Sequence, residues 1–298
     1  MNDIVIPATF RLRGRMFDAA HPAVMAIINR TPDSFYPPAR HLNLAEALGW
    51  LDGALADGAD IVDVGGVRAG GQGEWVNAEE EVRRVRPFLV AARQRHPEVL
   101  LSLDTWRSEV AEACAGLVDL VNDTWAGHDA RLAGVAARQA GGYVISHTGG
   151  LAPRTDPVHI HYGDDSDQAV LDAVLGGLSA GVARALAAGV PAASLLLDPT
   201  LDFGKTTRHS LAVLRHTDEI VRLGYPVMMA ASRKDFVGET LDLDVGQRLE
   251  GSLAAVAVAA WQGATVFRTH DVLATRRVVD MVAAIRGDRP PARSDRGR

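Results

Sequence analysis

Eight short apolar runs, each followed by a stretch with helical spacing, constrain this chain more than any other feature. The runs are Val24 to Ile28, Ile61 to Val64, Leu100 to Leu103, Val118 to Val121, Tyr143 to Ser146, Leu195 to Leu197, Val227 to Met229 and Thr265 to Phe267. Each is too short and too uniformly apolar for a half-exposed strand, so each reads as a strand buried on both faces of a parallel sheet. Helix formers at helical spacing fill the gaps: Leu44 to Asp57, Ala78 to Arg95, Asp129 to Ala140, Asp167 to Ala188, His209 to Leu223 and Gln247 to Gln262. Eight such units predict an α/β fold, a single (β/α)8 TIM barrel, whereas a doubly wound sheet would stop at fewer strands.

The expected boundaries are an N-terminal extension over 1–21, the barrel over 22–286 and a disordered charged tail over 287–298. No linker or repeat divides the barrel. Residues 149–166 form a long polar connection after the fifth run, with no evident chemical signal. A net charge of -6 excludes the basic excess that nucleic acids or anionic membranes require. No run reaches the ~20 apolar residues of a membrane span. The single cysteine, Cys114, and a start without secretory order point to a reducing cytoplasm.

In a barrel the reactive face lies at the carboxyl ends of the strands. Here those ends carry Asn29, Asp63, Asp104, Asn122, His147, Asp198, the Ser232-Arg233-Lys234 string, and Arg268 with His270. Any one of them could cap the following helix. Carboxylates, amides, imidazoles and cations from eight ends around one mouth instead fit a site for a polar heterocycle and an anion. Gly204-Lys205-Thr206 is no nucleotide loop, because Pro199 stands where that motif needs its first glycine. The Gly70 to Gly73 run reads as a flexible lid. His159 and His161 lack the further ligands of a zinc site.

The strings VMAIINRTPDSF (24–35), GADIVDVGG (58–66), SLDTW (102–106), VNDT (121–124), LLLDPTLDFGKT (195–206), SRKDF (232–236) and GATVFRTHDV (263–272) resemble the dihydropteroate synthase family, in the family's order. The resemblance implies a folate-biosynthesis transferase that joins 6-hydroxymethyl-7,8-dihydropterin diphosphate to p-aminobenzoate. It implies pterin binding by Asp104, Asn122, Asp198 and Lys234, diphosphate binding by Asn29, Arg268 and His270, and catalytic roles for Lys234, Arg268 and His270. It further implies Mg2+ beside Asn29, and a homodimer formed through barrel helices.

Three departures from the family pattern fall on the acceptor side, marked by Pro37, Arg68, Phe203 and Asp235. Pro37 replaces an aspartate of the first loop. The second loop reads Gly65-Gly66-Val67-Arg68-Ala69-Gly70-Gly71-Gln72-Gly73 in place of a Ser-Thr-Arg-Pro core, and its glycines should raise loop entropy. Asp235 follows the lysine where a serine is usual. A carboxylate there would repel an acceptor carboxylate by about 4 kcal/mol at ~4 Å. The expectations are therefore dihydropteroate synthase-type transfer, or alternatively a weak or inactive paralogue that binds a pterin but uses p-aminobenzoate poorly, with a regulatory role or another acceptor. A pterin-dependent methyl transferase on a related barrel is a third possibility.

Overall fold

The computed structural model describes residues 8–31, 43–71, 75–139, 141–157 and 160–296. Along the chain these form β1 (Phe10–Leu12), β2 (Arg15–Phe17), β3 (Ala23–Asn29), α1 (Leu44–Ala56), β4 (Ile61–Gly65), α2 (Ala78–Arg95), β5 (Leu100–Asp104), α3 (Ser108–Ala113), β6 (Leu120–Asp123) and α4 (Leu132–Gln139). There follow β7 (Gly142–Ser146), α5 (Asp167–Ala187), β8 (Leu195–Asp198), α6 (Thr207–Arg215), α7 (Thr217–Val221), β9 (Met228–Met229), α8 (Asp235–Leu241), α9 (Leu249–Trp261), β10 (Val266–Thr269) and α10 (Val272–Arg286). Strands β3 to β10 form one parallel sheet in the order β8-β7-β6-β5-β4-β3-β10-β9. A parallel bridge between Leu197 and Val227 joins its two edges and closes the barrel. The expected (β/α)8 architecture is present.

Side chains alternate across each strand. Outward residues such as Val24, Ile28, Val62, Leu103, Ile145 and Leu197 pack under the helices. Inward residues Met25, Ile61, Leu100, Leu120, Val144, Leu196, Met228 and Val266 fill the amino end of the barrel. The β1–β2 hairpin closes that end, placing Phe10, Leu12 and Phe17 in the same cluster, with Phe10 and Phe17 stacked at 6.2 Å. Two residues further along six of the strands, the inward positions become Asp63, Ser102, Asn122, Ser146, Asp198 and Arg268, while Ile27 and Ala230 keep that level apolar after Met25 and Met228. The interior therefore turns from apolar to polar at half height.

Several expectations shift. The fourth run is a strand at Leu120–Asp123, not Val118 to Val121, because Asp119 bends its carboxylate back onto Leu101 N (2.9 Å) and Arg93 Nη2 (2.7 Å) before pairing with β7 begins. The stretch His209 to Leu223 splits at His216: Thr217 N donates to Gln262 Oε1 (3.1 Å) and its hydroxyl to Leu214 O (2.9 Å), diverting the helical hydrogen bonds. Helix α4 starts at Leu132, later than expected, since Asp129 accepts from Ser108 N at the start of α3 (2.8 Å).

Contrary to expectation, one helix among the described residues is long and apolar enough to cross a membrane by length and composition. Helix α5 has 21 residues and contains an 18-residue window with a mean hydropathy of 1.5. Its Val170, Val174, Leu178, Val182 and Ala185 belong to the cluster under the strands, so in this fold it covers the barrel.

The hairpin plug should carry stability without touching the opposite, polar end. Phe10→Ala removes a side chain with no exposed surface and is expected to cost about 3–5 kcal/mol in urea unfolding. Ligand affinity at the polar end should stay within about twofold. A loss below about 1 kcal/mol would show that the plug is dispensable.

Candidate functional site

Asp63, fully buried on β4, is the hub of the polar half. It accepts from Ser102 Oγ of β5, from Asn122 Nδ2 of β6 (3.0 Å) and from Arg268 Nε of β10 (2.7 Å). Arg268 Nη2 continues to Asp104 Oδ2 (2.7 Å), whose other oxygen accepts from Thr124 Oγ1 (2.7 Å). Burial lifts the Asp104 carboxyl to about 7 against the pull of Arg268, with the Asp63 charge adding to the lift. Burial alone would lower the Arg268 guanidinium, but Asp63 and Asp104 outweigh it and hold it above its ordinary value. Opposite charges thus fix one another where neither could stand alone.

Asp198 ends β8 at 5% exposure and accepts from Thr200 N (2.7 Å). Burial raises its carboxyl, opposed by Lys234, Arg268 and Lys205. Lys234 donates to Leu201 O and lies 5.2 Å from the Phe203 ring centre. Its ammonium is pushed down by burial, with Asp202 and Asp198 opposing. His270 holds Ser232 Oγ at 3.0 Å through Nδ1. Burial and the charges of Arg268 and Arg233 push the imidazole down to about 3. At neutral pH it is therefore an uncharged hydrogen-bonding group.

Above this layer opens a cleft of about 320 Å³, enough for a small heterocycle with a polar tail. Asn29, Arg68, Asp104, Phe203, Lys234, Asp235, Arg268 and His270 line it, so eight of the candidate residues meet in one space. Asn122 and Asp198 are not among its lining residues and are nearly fully buried. The Oδ1 atom of Asn122 is buried and has no hydrogen-bond partner among the described residues. Pro37 lies outside the described residues, as do Gln72, Gly73 and His159.

Other residues depart from expectation. His147 does not join the mouth: its ring packs against α5, where a Cβ on Gly177 would stand 2.6 Å from Cδ2. The 149–166 connection does carry a chemical signal, since its Asp156 lines the cleft. The glycine loop is not simply loose. Gly71 N donates to Asp156 O (2.8 Å), and a Cβ there would stand 2.8 Å from Arg154 O, so glycine is what lets the two segments touch. His161 pairs with Asp165 (2.7 Å).

Three contributors were given no role by motif reading. Asp202 sits at φ +74° and accepts from Asp235 N (2.8 Å) and Phe236 N (3.3 Å), fixing the start of α8 beside Lys234. Lys205 donates to His147 O (2.7 Å), Thr200 O (3.2 Å) and Phe203 O (3.1 Å), clamping the loop after Asp198. Arg248 Nη1 donates to Asp235 Oδ1 (2.7 Å). The Asp235 charge is therefore paired rather than bare, and the full ~4 kcal/mol repulsion does not apply.

Comparison with known proteins gives consistent matches. A family described as "Pterin binding enzyme" matches residues 25–270. An inactive dihydropteroate synthase 2 of Mycobacterium tuberculosis is 50% identical over 287 residues, 96% of this chain and 90% of that relative. Among solved structures, Yersinia pestis dihydropteroate synthase with a sulfonamide drug complex has a TM-score of 0.85 at 33% identity, covering 94% of this chain and 100% of that one. Thermus thermophilus dihydropteroate synthase in complex with 4-aminobenzoate has a TM-score of 0.80 at 36% identity, covering 93% and 99%.

The buried imidazoles predict a defined acid response. Burial and the nearby Lys205 charge push His147 from 6.5 down to about 3, so protons bind the unfolded chain better. Its contribution is intact above pH 6.5 and is lost as pH falls towards 3, by about 1.4 kcal/mol per unit. In urea unfolding, the difference between His147→Gln and the native chain should stay constant above pH 6.5. Below it, the difference should move in favour of the variant. A difference that stays flat to pH 4 would mean that the ring is solvated.

Proposed function

The chain belongs to the pterin-binding enzyme family, in its dihydropteroate synthase branch, and from that premise we propose that its cleft binds 6-hydroxymethyl-7,8-dihydropterin diphosphate and activates it for transfer to an amine. The observation that carries this reading is Asn122 Oδ1, a buried acceptor without a donor among the described residues, with Asp198 at the end of β8 accepting from Thr200 N on its Oδ1. A buried acceptor left unmade costs about 1–3 kcal/mol. The amino and ring N–H groups of a pterin edge would supply the missing donors. Lys234 would serve the carbonyl edge of the ring, and the Phe203 ring would flank it.

Arg268 commits Nε and Nη2 to Asp63 and Asp104, so the diphosphate would meet its remaining edge, together with Asn29 and neutral His270. Departure of the diphosphate breaks the C–O bond and leaves a positive methylene conjugated to the pterin. The carboxylate forms of Asp198 and Asp104 would favour that charge, while the cations would favour the leaving anion. The amine then attacks with its own lone pair, so no strong general base is needed.

Magnesium belongs to the same proposal. A Cβ placed on Gly65 would stand 3.7 Å from both Asn29 Oδ1 and Asp104 Oδ2, so two oxygens face one small space. Among the described residues, no group of three His, Cys, Asp or Glu could hold a metal. That donor set fits an ion brought in by diphosphate oxygens, with Asn29 adding a protein oxygen. Bound there, it would neutralise charge on the leaving group.

A second reading is a pterin-binding protein with little or no turnover on p-aminobenzoate. It is favoured by the 50% identical relative named as inactive and by the Asp235–Arg248 pair in the cleft. Diphosphate release from the pterin diphosphate with magnesium, followed beside dihydropteroate formation, separates the two. Release that depends on p-aminobenzoate and yields dihydropteroate supports transfer, binding without product supports the second reading, and absence of binding defeats both.

We also propose a homodimer. Trp261, Met281 and Ile285 of α9 and α10 are each more than half exposed, an apolar face suited to a second copy. Light scattering should give twice 31.7 kDa. A monomer at micromolar concentration would remove this proposal.

A further inference from the structure

The Asp235–Arg248 pair has an asymmetry that bears on which amine the cleft accepts. The Arg248 side chain is 14% exposed and that of Asp235 is 81% exposed, and both line the cleft beside Lys234. The guanidinium is seated. Its Nε donates to Leu243 O (3.2 Å) and its Nη1 to Arg233 O (3.1 Å) as well as to Asp235. It lies flat on Gly238, where any Cβ would overlap it. Asp235 is the replaceable member: its backbone N–H is fixed by Asp202, while its carboxylate extends from an exposed position onto the cation.

Two neighbouring cations are otherwise engaged. Arg233 forms a two-point pair with Asp271 (2.9 Å each) and donates to Val245 O and Gly246 O (3.0 Å each). Lys234 holds Leu201 O. Asp156 and Asp202 also line the cleft, and the charge of Asp235 acts on both of them.

We infer that Asp235 acts as an internal carboxylate that occupies Arg248, so that the acceptor end of the cleft selects aryl amines carrying no anionic group. The inference rests on the pterin-binding reading and assigns its acceptor class. An anionic acceptor must displace Asp235 from its cation and leave that charge beside Asp202, whereas a neutral acceptor displaces nothing. The transfer itself balances without a further reagent. The amine lone pair forms the C–N bond to the methylene, the C–O bond carries its electrons to diphosphate, and the amine proton leaves to diphosphate or water.

The test compares p-aminobenzoate with its uncharged isostere p-aminobenzamide, by titration calorimetry on the full chain with and without the pterin diphosphate and magnesium, beside product mass. The native chain should prefer the amide by about tenfold or more, the scale of one charge-assisted contact. Asp235→Ser should raise p-aminobenzoate affinity by about tenfold and leave the amide within about twofold. Asp235→Asn provides the isosteric check, and Asp235→Ser with Arg248→Gln should lose the gain. Preference of the native chain for p-aminobenzoate, or no gain in either single variant, overturns the inference. Failure to bind pterin would count against the function proposed above, while the order of the two amines on the pterin-free chain would still decide this one.

Discussion

The contact of Arg268 with Asp63 and Asp104 is the constraint around which the upper barrel is arranged. Three strands supply the three side chains, and two more donors, from β5 and β6, converge on Asp63. A buried ion is tolerable only when its partners are fixed and its remaining lone pairs are met. Strand register meets that condition, since Asp63 lies directly opposite Ser102 in the sheet, and Ser102 opposite Leu120, two residues before Asn122. The same register places Asp104 opposite Asn122 and Gly65, so the network rises towards the cleft by one pleat. Polarity at the mouth is consequently set by strand register.

Much of this was readable along the chain because it obeys local rules. Buried parallel strands must be short apolar runs, and the residue ending each run must face the helix side, the interior or the mouth. Asn29, Asp104 and Arg268 follow from that alone. The hairpin Phe10–Phe17 was missed because its strands are three residues each, below the length at which alternation is distinctive. The errors at Val118 and His216 share a cause: a side chain, Asp119 or Thr217, takes a backbone hydrogen bond that periodicity assigns to the main chain. Asp156, Asp202 and Arg248 escaped because their meaning lies in partners 13 or more residues away. Asp235 is the sharpest case, since its charge is legible in sequence and its neutralisation by Arg248 is not.

The two halves of the cleft differ in mechanical standing. The pterin half is made of strand ends inside a closed sheet, so its side chains are held to the precision of the barrel. The acceptor half comes from connections: Gly70 and Gly71 against Asp156, the loop Thr200 to Phe203, and the start of α8. Lys205 and Asp202 stabilise those connections by bonding to backbone groups that no helix or strand satisfies. Leu201 and Phe236 anchor these segments in the core, but their exposed positions, such as Asp235 with a side chain 81% exposed, accept substitution at little cost to the fold.

That asymmetry limits what an intact pterin half implies about turnover. Removing one member of the Asp63–Arg268 pair would leave its partner buried and unpaired, a loss of about 3–5 kcal/mol against a total stability of about 5–15 kcal/mol. Asp63, Asn122, Asp104 and Arg268 are thus held by the stability of the barrel whether or not a reaction takes place above them. Asp235, Arg68 and Phe203 are under no such restraint. A chain of this fold can alter its acceptor chemistry, or lose it, while every residue that marks it as a pterin barrel stays in place. The chemistry of the acceptor end must therefore be read from Arg248 and its partner, not from the strand ends below.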